Sequence, residues 1–352
     1  MISKPNLRIL LIILLITSSI LAAGIGAMQI SPVQVIAILL DQAGIHLPVT
    51  YSQGMVNVLM QIRLPRVCLG LLVGGGLAIS GAALQGLFRN PLADPGLIGI
   101  SAGASLSAVL LIVILSAVPI LLPEGMMPQY YLLNIITFCG ACLTSFLVFR
   151  FSRTDGKTLV ATLLLAGLAM NALCGAFTGL ITYTANDEQL RSITFWSLGS
   201  LGAASWKGII ALIPFIAIPM ILLPRLARSL NAFALGEAEA AYMGVNVKRL
   251  KNQVIILSTL AVGASVAVSG IIGFVGLIVP HILRTMAGND HQHLLINSAL
   301  LGASLLNLAD ILSRTIIAPA ELPIGIVTAI LGTPLFIALL VKQKKFMFGL
   351  SS

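Results

Sequence analysis

RLARSLNAFALGEAEAAYMGVNVKRLK, residues 225–251, is the longest interval poor in membrane-compatible residues in a chain that is otherwise almost continuously apolar. It holds five basic and two acidic side chains. Glu237, Glu239 and Lys248 would each cost about 2.5–3.5 kcal/mol at the centre of a bilayer, so the segment lies outside the hydrocarbon. Its punctuation predicts two short helices. Asn231 caps a first turn, Glu237 and Glu239 stand at the favourable N-terminal end of a second helix, and Gly244 ends that helix in the left-handed conformation. Asn246 then caps the next long apolar helix. A short amphipathic hairpin at a membrane surface, basic at both flanks, is suited to docking a partner; a solvated loop would show the same composition.

Of the 352 residues, 58% are hydrophobic and 9% charged, against a charged fraction of about 25% in soluble domains. The mean hydropathy of +1.05 gives a polytopic membrane protein. A net charge of +9 would suggest nucleic acid in a soluble protein, but here the placement of charge matters more than its sum, and no nucleic-acid partner is expected. Cys68, Cys139, Cys142 and Cys174 all fall in apolar runs and read as small buried hydrophobes, not as a disulfide framework. The first apolar run, 9–28, follows Lys4 and Arg8; it is too long for a signal peptide and is read as a retained span.

A bilayer span needs about 20 apolar residues. That window predicts ten helices, at roughly 7–28, 64–87, 96–118, 131–150, 158–182, 206–224, 251–269, 272–286, 293–313 and 323–341. The eighth is short, and Gly270, Gly273, Gly276 and Pro280 predict a broken helix there. With the N-terminus inside, 15 of the 20 basic residues fall on the inner side, so both termini are expected in the cytosol. Outside, 29–61 reads as a long polar loop, and 183–205 as a short surface helix with aromatic anchors. Ser80-Gly81 and Ser269-Gly270 echo each other in blocks of opposite entry, as an inverted repeat would. The whole of 1–352 is one transmembrane domain.

The run GLLVGGGLAISGAALQGLFRNPLADPGLIGISAG, residues 70–103, is the second informative stretch. Gly70/Gly74 and Gly99/Gly103 have the spacing that lets helix backbones approach, and Arg89-Asn90-Pro91 with Asp94-Pro95-Gly96 make a polar turn leading into a helix at Pro95. This string resembles the signature of the FecCD permeases, the membrane subunits of type II ABC importers for iron complexes, haem and cobalamin. RLPR at 63–66, LGEAEAAYMGVNVKRLK at 235–251, the run 269–314 and PAELPIGIVTAILGTPLFIALL at 319–340 follow in family order.

The resemblance implies an all-α fold of ten transmembrane helices in the bacterial inner membrane and a homodimer around a translocation path. It also implies two ATP-binding subunits below and a periplasmic substrate-binding protein above. It makes 229–248 the coupling helices, with Asn231, Leu235, Gly236, Glu237, Ala240, Gly244 and Val245 facing the ATPase. No GxxxxGK[ST] phosphate loop occurs, so ATP and Mg belong to the partner subunits, and this chain is expected to hold no cofactor and no catalytic site. The resemblance also gives Arg63, Arg66 and Arg314 to docking of the binding protein, work suited to a planar guanidinium. The same arginines admit interfacial anchoring, or a local pair between Arg314 and Asp310 four residues earlier.

His46, His281, His291 and His293 lack the i, i+4 spacing of a metal-binding helix face and read as surface or capping residues. Residues 187–206, DEQLRSITFWSLGSLGAASW, look most like haem permeases, which makes haem the expected cargo, with a ferric siderophore or cobalamin as the alternatives. An ion-driven secondary transporter would also use broken helices, but it needs ionisable groups at mid-membrane depth. Here only Asp310 approaches that position. A receptor would need an extramembrane domain, which the chain does not contain.

Overall fold

The computed structural model describes residues 4–117, 129–154 and 157–347. Among them the chain is helical apart from one small hairpin, in which β1 (Arg153–Thr154) pairs antiparallel with β2 (Lys157–Thr158). The helices are, in order, α1 (Lys4–Gly24), α2 (Pro32–Asp41), α3 (Gln53–Val58), α4 (Leu64–Phe88) and α5 (Ile100–Ala117). Then come α6 (Gln129–Phe151), α7 (Val160–Tyr183), α8 (Asp187–Leu198), α9 (Trp206–Leu222) and α10 (Ala227–Leu235). The last five are α11 (Glu237–Tyr242), α12 (Val247–Ser269), α13 (Val275–Ala287), α14 (His291–Thr315) and α15 (Ile324–Met347). All ten apolar runs are helices. Among the described residues, seven helical stretches are long and apolar enough to cross a membrane, and the three remaining runs, in α5, α13 and α15, are apolar over shorter lengths.

The bundle is arranged around α4, buried without interruption from Val73 to Phe88. Apolar side chains gain little by meeting one another instead of lipid tails, so small residues that let backbones close in hold such helices together. The GGG and SGAA runs of α4 supply them. A Cβ at Gly74 would fall on the Gly302 carbonyl of α14, and one at Gly81 on the Gly276 carbonyl of α13. On other faces Gly76 meets Ile216 of α9 and Ser265 of α12. Gly103 of α5 approaches Gly140 and Thr144 of α6 in the same way.

Several expectations change. The stretch 29–61 is not a loop: Ser31 and Gln34 form a capping box with Pro32 at the first helical position, which starts α2. Beyond it, α3 runs without a break through a π-helical turn, Leu59–Arg63, into α4. Pro65 has no N–H to give, and the Leu64 N–H reaches back to the Leu59 carbonyl, so the wide turn absorbs the lost donor. At the other end of α4, Arg89 is left-handed, the Asp94 carboxylate accepts from the Gly96 N–H at 2.7 Å, and Pro95–Ile98 is a 3-10 turn. The helix expected from Pro95 therefore starts at Ile100. Of the four free cysteines only Cys174 is buried; Cys139 faces outward.

The broken eighth span is present as expected. After α12 the chain is non-helical from Gly270 to Phe274, and both of those residues have positive φ. This break packs beneath the end of α8, where the Ser200 N–H donates to the Ser269 carbonyl at 2.8 Å and the Ile324 N–H to the Gly199 carbonyl at 3.1 Å. Ser269-Gly270 thus ends a helix, whereas Ser80-Gly81 lies inside α4, so the two echoes are not structurally equivalent.

Candidate functional site

The expected helical hairpin is α10 followed by α11, at the end of the bundle where α9 finishes and α12 begins. Its inner face is apolar: Ala227, Leu230 and Phe233 are buried in the main core. Two cations close over the Phe233 ring, the Arg89 guanidinium at 5.6 Å from its centroid and the Lys251 ammonium at 5.7 Å. Lys251 also pairs with Glu237 at 2.7 Å, which ties the first residue of α11 to the start of α12. Asn246 caps α12 by accepting from the Arg249 N–H.

Between the two short helices, Gly236 has φ 148 and lets the chain turn sharply. After α11, the Gly244 N–H donates to the Ala241 carbonyl and the Val245 N–H to the Ala240 carbonyl, both at 3.0 Å, with Gly244 at φ 83. These paired bonds are a Schellman closure, which satisfies the carbonyls that a helix end would leave open. Ala240 is buried and Val245 packs on the core, so α11 is held by its inner side. The outer side of the hairpin presents Leu235 at the end of α10 (68% exposed) and, at the end of α11, Tyr242 (91%) and Met243 (64%).

Asn231 does not cap a helix. It lies inside α10, and its carboxamide reaches the start of α14: Nδ2 donates to Asp290 Oδ1 at 2.8 Å, and Oδ1 accepts from the His291 N–H at 2.9 Å. The His291 ring Nδ1 lies 2.8 Å from the same oxygen. The hairpin is thereby clasped to α14, which in turn packs on α4 through Gly302. Nearby, Arg284 of α13 donates to the Gln85 side chain, whose amide donates to the Leu277 carbonyl at 3.1 Å. His291 therefore has an internal structural role, while His46 meets Asp41 at the end of α2 and His293 lies 3.9 Å from Asp290. Among the described residues, no three His, Cys, Asp or Glu side chains converge as a metal site.

At the opposite end of the bundle, Arg63, Arg66 and Arg314 come together, but facing inward. Each is less than 10% exposed. Arg63 donates to the carbonyls of Ala23 (2.9 Å), Gly24 and Met28, and Arg314 donates to that of Ala22. The two guanidinium groups thus satisfy the last carbonyls of α1, which has no basic residue in its own final turn. Arg66 is a hub: its Nε lies 2.9 and 3.1 Å from the two oxygens of Asp310, and its two terminal nitrogens hold Glu321 at 2.9 and 3.0 Å. Arg314 Nε stands 3.4 Å from the other side of Asp310. These contacts favour the internal pair with Asp310 over a role in holding a partner, because the donors are already turned to carboxylates and carbonyls of this chain. Glu321, in the connection before α15, had no part in the sequence reading.

The short surface helix expected within 183–205 is α8, opened by a capping box between Asn186 and Gln189. Phe195 is exposed on it. Its C-terminal connection, Gly199 to Ser205, rests on the α12–α13 break and on the start of α15.

This geometry has close relatives. The chain is 47% identical over 298 residues to the hemin transport system permease protein HmuU of Yersinia pestis, covering 85% of this chain and 87% of that one. It is 41% identical over 288 residues to the vitamin B12 import system permease protein BtuC of Escherichia coli O9:H4, covering 81% and 84%. Among solved structures, an inward-facing chain described as an ABC transporter of metal-chelate type superposes with a TM-score of 0.82 at 34% identity, over 96% of this chain and 99% of that one. Residues 11–342 match the FecCD transport family, and the chain belongs to that family.

Proposed function

We propose that the chain is the permease subunit of an ATP-driven importer in the bacterial inner membrane, with both termini and the α10–α11 hairpin in the cytosol. The proposal has the chain act as a homodimer between two ATP-binding subunits and a periplasmic binding protein, and carry haem. The observation that carries it is the exposed apolar face of Leu235, Tyr242 and Met243 on a hairpin otherwise locked into the bundle. Such a face lies outside the hydrocarbon and lacks a cover within the described chain, and the sequence contains no phosphate loop of its own. Haem is favoured by the similarity to the hemin permease, with cobalamin as the next cargo. Self-powered ion coupling is disfavoured because Asp310, the deepest carboxylate, is already neutralised by Arg66 and Arg314.

The test is reconstitution of the chain with its ATPase and binding protein, with uptake of haem, a ferric siderophore and cobalamin measured side by side. Haem is expected to accumulate with ATP present and not without it. Uptake of only one of the other two would overturn the cargo; uptake or ATP hydrolysis by the chain alone would overturn the role.

The hairpin gives a second expected outcome. Nothing lies within 4 Å of a Cβ placed on Gly244, so Gly244→Val acts through backbone conformation alone. Holding a β-branched residue at positive φ costs on the order of 1–3 kcal/mol. ATPase association, measured on the solubilised complex, is expected to weaken roughly tenfold, since about 1.4 kcal/mol is tenfold in affinity. Gly244→Asn, which tolerates the left-handed region, should keep most of it. Equal association in both variants would show that the turn is unrelated to docking.

A further inference from the structure

Three helices part company near the end of the bundle opposite the hairpin. On α9, Gly208 and Ala211 are too small to meet α6, and on α12 the facing residues are Ala264 and Ala267. A cavity of about 270 Å³ results, bounded by these residues and by the α6 face that carries Tyr131, Asn134 and Phe138. Phe138 and Phe215 close its inner end edge-to-face, with ring centroids 5.0 Å apart and planes at 63°. From Tyr131 to Phe138 is two turns of helix, a depth of about 10 Å. That is about a third of the hydrocarbon thickness, so the cavity spans the outer part of one leaflet.

Its lining is almost wholly apolar, with one exception that the fold does not explain. Asn134 is half-buried, one turn below Tyr131, and makes no hydrogen bond within the described chain. An unpaired carboxamide there has only apolar side chains across the groove to face, which favours a ligand that brings an acceptor. Lys207 adds a charge at the mouth of the groove: it is exposed at the start of α9, next to Gly208, and lies four residues before Ala211, on the same helical face. It is also one of the few basic residues on the side where the positive-inside trend predicts none.

The geometry points to a phospholipid site in this groove. An acyl chain fills the cavity down to the Phe138–Phe215 pair. The Asn134 carboxamide donates to the ester carbonyl at the top of that chain, and Lys207 faces the phosphate. A lipid fits where a peptide does not, because the opening is to the bilayer and the polar groups are ordered in depth as in a glycerophospholipid: apolar floor, amide, cation. The site is independent of what the protein transports.

The test uses the purified full-length chain in detergent, loaded from vesicles of dioleoyl phosphatidylglycerol and examined by native mass spectrometry after a fixed delipidating wash. The wild type is expected to retain about one lipid per chain. Ala264→Leu, which fills the cavity, and Asn134→Leu, which removes the donor, should each reduce retention at least fivefold; Asn134→Gln should keep it. Lys207→Glu should reduce it as well, and the loss should vanish for diolein, which has the esters but no phosphate. Asn134→Leu also guards against misfolding, since exchanging an unpaired amide for an apolar side chain leaves the melting temperature unchanged or higher. Equal retention in the wild type, Ala264→Leu and Asn134→Leu would overturn the site. So would haem protecting the groove from lipid, which would make it part of a cargo path.

Discussion

Asp310→Leu is expected to be among the most damaging single changes in the chain, lowering stability by about 3–5 kcal/mol, the range for breaking a buried ion pair on one side. Asp310 is 2% exposed and stands between Arg66 and Arg314. Without it, Arg66 keeps Glu321 and Arg314 keeps the Ala22 carbonyl, but two buried cations then face each other without the anion between them. The mechanism separates from simple loss of packing. In Asp310→Leu with Arg314→Leu, one of the orphaned charges is gone, and part of the loss should return. Glu321→Gln, at a side chain 46% exposed, should cost far less, about 1 kcal/mol or below. Melting in detergent, followed by size-exclusion of heated samples, ranks the four proteins. A double variant no more stable than Asp310→Leu would show that the carboxylate acts by shape and not by charge.

Gly81→Leu is expected to abolish folded protein. The carbonyl of Gly276 occupies the place of a Cβ on Gly81, and that obstacle is backbone of a helix that is itself buried between α4 and α14. Overpacking by a few methylenes in a core costs about 1–3 kcal/mol where side chains can yield. Here the axes of α4 and α13 must separate, and the Gly74–Gly302 contact below them opposes it. Gly81→Ala should already lower the melting temperature measurably, whereas Gly273→Ala, with nothing near its Cβ, should not. Gly81→Leu recovered as a monodisperse peak at wild-type yield would show that this crossing is not close-packed.

The spans were legible because an apolar run of about 20 residues in a chain this hydrophobic has few other fates, and every run became a helix. The break before α13 was legible for a local reason: the glycines at 270 and 273 weaken the helix just where the Ser269 carbonyl turns to the Ser200 N–H of the connection after α8. Gly244 was legible as well, since a glycine after an apolar-polar helix marks a left-handed closure. Asn231 was not. An asparagine near a helix start satisfies the rule for a cap, and only the fold brings Asp290 and His291, some sixty residues away, to its side chain. The arginines share that difficulty, because their partners are backbone carbonyls of α1 and a glutamate about 250 residues distant. The helix in 32–41 was hidden by its length, since ten residues fall short of a span even when apolar, although Ser31, Pro32 and Gln34 spell its start.

The π-helical turn at Leu59–Arg63 is one residue longer than the α-turn it replaces, so it sets α3 out of angular phase with α4 by about 100°. Depth and direction are thereby uncoupled. Losing or gaining a residue between Met60 and Ile62 would leave α4 seated among its neighbours and rotate the whole Gln53–Val58 extension to another compass bearing. This turn is a dial: a single-codon deletion would re-aim the arm, and its range is set by the small cluster in which Leu59, Met55 and Val56 pack on Ala22, Val35 and Val67.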